Sequence, residues 1–600
     1  MELLNLDGVI EKGVFEIPSY QRGYAWQEEQ LKDFWNDLEH VSKLGDKFHY
    51  MHSLTLRESE NEFESSAFEI IDGQQRLATS LILLGLLAKI TQNKDPKYSF
   101  INLEPILSYK YYGLSEAFRA ITEEEKDLER FQTSFSSFYA KNLIDAHAFF
   151  KEKISNTPVG TLEKMFDALI KKMLFSVVEL NDNRIDPFSS FETINNRGKD
   201  LSTLELLKNR LHFVAHKICD EGDLENLQNE INDTYTRIYH DLRRFEDAHL
   251  ESFLKHFVAY YYGEKSDFKG RLLNTAFDAH KKYDDLYDEY EKINDLLLYL
   301  SYSSKVWYFL HTLDDKELRI EITPKMRSLL DKMQRLNALS GNAFLPLLLS
   351  LLTIQLAVRS GSERHYTTKE LEGLLEYLER FGFLIYGVAG SKNTAKKEWI
   401  GLAFKAIQAC RFWEDKITIE DLPTLEKNFF KGKHSGLELL EENIHSKKNT
   451  EKWYQWGKAL NYLLYEYELH HNPETTLKFD SSIESIEHIL PQNPDQGYSA
   501  KEKNWAKNPH VVHALGNLLL IPKNANSSLS NKPFEEKRKQ YLKDSYSEKE
   551  VAKNASFGVV QIKERSEKLL DFLIARYRIA ELVGESAIKA FKNALLKEIR

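Results

Sequence analysis

Apolar and polar positions alternate in VFEIP (14–18), a period-two pattern that stops at Pro18 and predicts a strand. SLTLRE (53–58), FEII (68–71) and LFSVVEL (174–180) predict three more. Elsewhere the period lengthens. Leu31, Phe34, Trp35, Leu38 and Val41 recur at spacings of three and four, one face of a helix. LATSLILLGLLAKI (77–90) predicts a strongly apolar helix, and FETINNRGKDLSTLELLKNRL (191–211) closes this first region. From about 216 to 440 the pattern is helical almost throughout, as in 293–313, 326–358 and 367–383. It has no fixed repeat period, which argues against a solenoid. HHNPETTLKFD (470–480) is polar and turn-rich, a boundary. IESIEHILP, a long loop, GNLLLIPK and a helix from about Pro533 then give the order strand, loop, strand, helix, and an amphipathic helix over 559–583 ends the series. The expected fold is multidomain and predominantly α with α+β: domains over 1–215, 216–440 and 441–600.

Composition narrows this picture. With 42% hydrophobic residues the chain can bury real cores, so disorder of the whole is excluded; 26 Gly and 14 Pro in 600 residues favour long helices. A net charge of −11 excludes a general DNA coater, so any nucleic-acid contact must be local. Residues 501–553 are such a place, with 11 Lys/Arg against 6 Asp/Glu, and Lys537, Arg538 and Lys539 stand together as candidate phosphate contacts. Cys219 and Cys410 give neither a disulfide framework nor zinc spacing. Without a targeting segment or an apolar run of about 18 residues, the protein is expected to be soluble and cytoplasmic, with no membrane partner.

The candidate chemistry lies first near the C-terminus. A strand ending in Glu487 and His488, a second strand opened by Asn517, then Asn526 and a helix form an order suited to phosphodiester hydrolysis. That reaction needs an activated water, a cation on the scissile phosphate and stabilised negative charge. A neutral His can take the proton of water, and a carboxylate with an amide oxygen can hold Mg²⁺ while leaving positions open. His513, four residues before Asn517, could also approach; taken alone, it and His470 and His471 read as structural histidines.

EHILPQ…GNLLLIPKNAN resembles the HNH, or His-Me finger, motif of restriction and CRISPR nucleases. The resemblance implies a ββα-metal domain with His488 as general base, Glu487 and Asn526 as ligands of Mg²⁺ or Mn²⁺, and Asn517 orienting the histidine or bracing its loop. Asp often precedes this histidine in the family, and here Glu487 does.

A second constellation opens the chain. FEIIDGQQRLATS (68–80) puts Asp72 and Gly73 at a turn between strand and helix, with Gln74, Gln75, Arg76, Thr79 and Ser80 around free helix N–H groups, a natural anion site. Gln21 and Arg22 in IPSYQRGYAW, and Asn195, Asn196, Arg197 and Gly198 in FETINNRG, are further polar groups. No GxxxxGK[ST] is present, so this is not a P-loop. DGQQR alone reads as a capped helix start. Together the three segments resemble the ParB-like, sulfiredoxin-like nucleotide-binding domain that opens the Gmr-type (GmrSD) modification-dependent restriction enzymes. The resemblance covers roughly 1–215 and 440–580, and the chain departs from it at His52, in HYMHSL, near where the family often has Gly.

The resemblance implies an NTP-regulated endonuclease of type IV, cleaving double-stranded phage DNA with glucosylated or hydroxymethylated cytosine. GTP, UTP, CTP and ATP stay open as the nucleotide. A phosphorothioate-sensing nickase of the same architecture, a nucleotide-switched DNA-binding protein without cleavage, and a toxin-like nuclease acting without nucleotide are the alternatives. Duplex cleavage by single centres needs two cuts, which a homodimer would supply.

Overall fold

The strand-forming segments of the N-terminal region meet in one mixed sheet. The computed structural model describes residues 2–59, 67–90, 106–110, 112–123, 137–180 and 201–600 apart from 244, 246, 265, 280, 359–361, 363, 364, 413, 476, 478–482, 495, 496 and 542–544. Contacts divide the chain into two compact units. One is Met1–Phe309 with Lys316–Leu318, the other Leu310–Asp315 with Arg319–Arg600. The helical middle expected over 216–440 contributes to both.

In the first unit, β1 (Glu2–Asn5), β2 (Val14–Ile17), β3 (His49–Glu58), β4 (Ala67–Asp72), β5 (Leu107–Tyr109) and β6 (Met173–Glu179) lie in the order β1-β6-β3-β4-β2-β5. The parallel pairs are β2 with β4, β2 with β5 and β3 with β6; β1–β6 and β3–β4 are antiparallel. β1 and β5, each four residues or fewer, carry too short a pattern to predict. β3 starts four residues earlier than its apolar alternation indicates. A bulge between Tyr50 and Ser53 interrupts the register, with His52 at φ +66°. The helix Gln74–Ile90 has nearly every side chain buried, which explains its lack of a polar face.

Gly73 joins β4 to that helix at φ +99°, and a methyl there would come within 2.9 Å of the Ser53 carbonyl. Both the backbone angle and the close approach require glycine.

In the second unit, the apolar run 326–358 is two helices, Pro324–Ser340 and Leu345–Ala357. Gly341 in the left-handed region (φ +61°) ends the first. A short hairpin, β7 (Phe430–Lys431) with β8 (His434–Ser435), interrupts the helical pattern. β9 (Glu484–His488) and β10 (Leu518–Pro522) pair antiparallel, His488 opposite Leu518 and Glu487 opposite Leu519. The helices Lys523–Leu529 and Phe534–Tyr541 follow. The expected single helix over 559–583 is two, Val559–Arg576 and Ala580–Lys597, broken where Arg578 takes φ +48°. No helix among the described residues is long and apolar enough to cross a membrane.

Gly73→Ala is expected to cost about 1–2 kcal/mol from the left-handed backbone alone, and more from the approach to Ser53. Gly160→Ala, exposed in the helix Val159–Lys171 with nothing within 4 Å, should leave stability unchanged or raise it. Thermal unfolding of both variants followed by circular dichroism checks the contrast.

Candidate functional site

β9 ends with two adjacent residues that meet different partners. Glu487 lies 3% exposed against the helix Phe534–Tyr541. Its Oε1 accepts from Lys537 Nζ at 2.5 Å and from the Tyr541 hydroxyl at 3.1 Å. Lys537 is fully buried and also donates to the carbonyls of His488 (2.9 Å) and Ile489 (3.3 Å). Burial pushes the Glu487 carboxyl up and the Lys537 ammonium down, and their mutual contact opposes both shifts. Lys537 is therefore not a DNA contact as the sequence pattern indicates, because its charge is committed inside the unit. Arg538 donates to the Ala552 carbonyl at 2.8 Å, and Lys539 stays exposed, as do Lys501, Lys503, Lys507, Lys523, Lys532, Lys549 and Lys553.

His488 is buried, and its Nε2 lies 3.0 Å from His513 Nδ1. Gln492 Nε2 stands 3.3 Å from the other nitrogen, Nδ1. Burial, then His513 and Lys537, lower the His488 pKa to about 3, and burial lowers that of His513. The two rings are thus neutral near pH 7. Tyr454 covers both, its ring centroid 4.9 Å from that of His488 and 5.9 Å from that of His513.

Asn517 is completely buried and braces the loop. Its Oδ1 accepts from Leu490 N (2.8 Å), and its Nδ2 donates to the carbonyls of Leu490 (2.9 Å) and Val512 (2.7 Å). Gly516 before it packs so closely on the helix Val559–Arg576 that a methyl would overlap Ile562 O and Ser566 N. Asn526 donates from Nδ2 to Ser485 Oγ (2.8 Å) and the Ile486 carbonyl (3.1 Å), which commits both N–H groups and leaves Oδ1 as its acceptor end. The Glu487 carboxylate and the Asn526 amide oxygen are each hard oxygen donors, the kind of ligand Mg²⁺ takes. Lys537 already balances part of the Glu487 charge.

In the first unit the DGQQR side chains hold segments together. Gln75 donates to the Gly23 carbonyl at 2.9 Å and accepts from Ala25 N at 2.8 Å. Gln21 Nε2 donates to the carbonyls of Ile70 and Ile71. Thr79 Oγ1 lies 2.6 Å from the Tyr24 hydroxyl, and Asp72 Oδ2 accepts from Ser53 (3.2 Å) and Arg76 (3.1 Å). Gln74 is buried, and among the described residues its Oε1 and that of Gln21 meet no hydrogen-bond partner. Arg22 is buried as well. Asn195, Asn196, Arg197 and Gly198 lie outside the described residues.

Sequence reading missed Lys208. It is 1% exposed on the helix Thr203–Ile218 and donates to the Ser19 carbonyl. Burial drives its pKa well down, against the pull of Glu205. The signal was a Lys-Asn pair inside the apolar run LELLKNRLHFV. His212, one turn on, is pushed down to about 3 by burial and then by Lys208.

A family model described as the GmrSD restriction endonuclease N-terminal domain matches residues 3–212, and one for the C-terminal domain of the same enzymes matches 440–572. The chain belongs to the GmrSD restriction endonucleases. None of the curated proteins compared matches it. GmrSD membership makes the chain a restriction endonuclease that acts on DNA, of a nuclease type for which a divalent metal is expected. Among the described residues, one group of three His, Cys, Asp or Glu could share an ion: His240, Asp241 and Glu317. Arg243 Nη1 stands 3.0 Å from His240 Nδ1 there, and Ser304 donates to Asp241 at 2.6 Å, so a cation would have to displace a guanidinium.

Lys537→Met should cost about 3–5 kcal/mol, the usual penalty for stranding one partner of a buried pair. The double variant with Glu487→Gln should recover most of it, read from urea denaturation. For His212 the folded pKa lies below the unfolded value of about 6.5. Its contribution is therefore intact above that pH and lost as pH falls toward 3, at up to about 1.4 kcal/mol per unit. His212→Gln should flatten the fall in stability between pH 7 and 5, measured in the same way.

Proposed function

We propose that the chain is an NTP-regulated type IV restriction endonuclease of modified phage DNA, with an HNH centre of the ββα-metal kind over 484–541 and a ParB/sulfiredoxin-like nucleotide domain at its N-terminus. The observation that carries the reading is the buried, neutral imidazole of His488 at the end of β9, between the Glu487 carboxylate and a loop braced by Asn517.

His488 acts as the base that takes a proton from water. It is unprotonated at neutral pH, so the lone pair is present before substrate arrives, although the burial that lowers its pKa also weakens it as a base. Asn517 holds the backbone after His488 and thereby the direction of the ring. Glu487 and Asn526 would hold Mg²⁺ or Mn²⁺, which supplies positive charge to the scissile phosphate. Lys539 and the exposed lysines around it supply a positive surface for the backbone of double-stranded DNA. A homodimer would let two such centres cut both strands.

In the nucleotide domain, Gln21, Gln75, Thr79, Asp72 and Arg76 build the frame through the bonds described. Of the motif amides, Gln74 Oε1 and Gln21 Oε1 are buried without a hydrogen-bond partner among the described residues. Buried Arg22 lies on the same motif segment as Gln21, and the nucleoside triphosphate would be read there.

The test is cleavage with Mg²⁺ or Mn²⁺ of unmodified, glucosylated, hydroxymethylated and phosphorothioated DNA, each with and without GTP, UTP, CTP or ATP. Cutting confined to a modified substrate, and reduced about 10²–10⁴-fold in His488→Ala as expected for loss of a general base, is the predicted result. The substrate cut separates the modified-cytosine enzyme from the phosphorothioate nickase. Binding of DNA that responds to nucleotide, with no cutting of any substrate, would replace this reading with that of a switched DNA-binding protein.

A further inference from the structure

His513 sits at the end of the short helix Pro509–Val512, and Asn517 ties the last residue of that helix to Leu490. One side chain thus fixes the backbone two residues after His488 and one residue before His513. The two imidazoles it brackets stand nearly perpendicular, at 78°, with Nε2 of His488 facing Nδ1 of His513 at 3.0 Å. Two ring nitrogens at that distance share a single proton, since two lone pairs or two N–H groups would repel.

The orientation of the Gln492 amide favours one of the two positions for the proton. Its amide nitrogen, a donor, stands 3.3 Å from His488 Nδ1. A proton on Nδ1 would set N–H against N–H, whereas a lone pair there accepts. Nε2 of His488 then carries the hydrogen and donates it to His513. Gln492 is exposed, while His513 is buried. The lone pair is therefore on the side that water can reach, held by a long hydrogen bond that water can replace.

We propose that His513 is a positioning residue that fixes His488 in the Nε2–H tautomer, so that Nδ1 is the atom that accepts the proton from water. This rests on the reading of His488 as the nuclease base. In the step, one O–H bond of water breaks and its proton goes to Nδ1. The hydroxide oxygen forms the new bond to phosphorus, the bond from phosphorus to the leaving sugar oxygen breaks, and that oxygen takes a proton from solvent. As the ring becomes cationic, the Nε2–H bond to His513 turns charge-assisted and strengthens. A partner behind the base that sets its tautomer is the arrangement of the serine-protease triad, here with a neutral acceptor in place of a carboxylate.

The experiment compares wild type, His513→Phe and His513→Asn in the full chain. Phe keeps a ring against Tyr454 without an acceptor, and Asn restores an acceptor oxygen. The ¹⁵N chemical shifts of His488, assigned by its absence in His488→Ala, read the tautomer directly. Cleavage of whichever DNA the wild type cuts gives kcat and KM. The expected result is an unprotonated Nδ1 in the wild type and a tautomer mixture in His513→Phe. In that variant kcat should fall about 10- to 100-fold, the usual cost of losing an outer orienting partner, with KM within about threefold and recovery of most of kcat in His513→Asn. A protonated Nδ1 in the wild type overturns the inference, and so does equal loss in both variants or no loss in His513→Phe. Should the variants fail to fold, the wild-type shifts alone decide it. If His488→Ala cuts like wild type, the nuclease-base reading fails; if His488→Ala is inactive while His513→Phe is fully active, only the role of His513 fails.

Discussion

The ammonium group of Lys537 is the constraint on which the C-terminal centre depends. It lies fully buried and spends its three hydrogens on the Glu487 carboxylate and on the carbonyls of His488 and Ile489. A cation without water must be surrounded by acceptors, and those acceptors are the last two residues of β9 and the residue that follows it. The strand end is thereby pulled onto the helix Phe534–Tyr541, and Glu487 and His488 take up their separate surroundings. Burial makes such a pair a poor source of net stability. Its consequence is geometric: the backbone that carries the candidate base has one place to be.

Asn517 completes this from the other side. Its two donors and one acceptor are all used, on Leu490 and Val512, so the turn after β9 and the turn before β10 cannot move separately. The positive charge of Lys537 and the burial of both imidazoles act in the same direction on His488 and keep it neutral. A scaffold of buried polar groups thus does two things with the same atoms. It fixes where the imidazole stands and which protonation state it keeps.

The first unit follows a similar economy. Gln75 and Gln21 cross-link the helix Gln74–Ile90, the loop before Glu28 and the end of β4, each by an amide against backbone groups. Backbone that would otherwise be buried without partners is satisfied by side chains of the motif itself. Of the motif amides, Gln74 Oε1 and Gln21 Oε1 meet no hydrogen-bond partner among the described residues, and Arg22 is buried nearby on the chain.

Periodicity and turn chemistry by themselves located β2, β4, β6, the helix Gln74–Ile90 and the strands β9 and β10, because those patterns are local; the short helices Ala500–Ala506, Pro509–Val512 and Lys523–Leu529 around β10 they did not find. Residue type and order, together with the resemblance to the HNH motif, marked Glu487, His488, Asn517 and Asn526 as candidates. The local patterns did not find β1 or β5, which are too short to show a period, nor the break at Arg578, where the apolar stripe runs on through a left-handed residue. The direction of each side chain was also beyond them. Lys537 stood in the sequence beside Arg538 and Lys539 as one of three like charges, and only packing turned it inward while Lys539 stayed in water. Lys208 and His513 gained their partners from segments 189 and 25 residues away in the chain. Local pattern determines which elements form, since it reflects forces within a few residues. Burial and pairing depend on what the rest of the chain brings alongside, and that is decided in the tertiary structure.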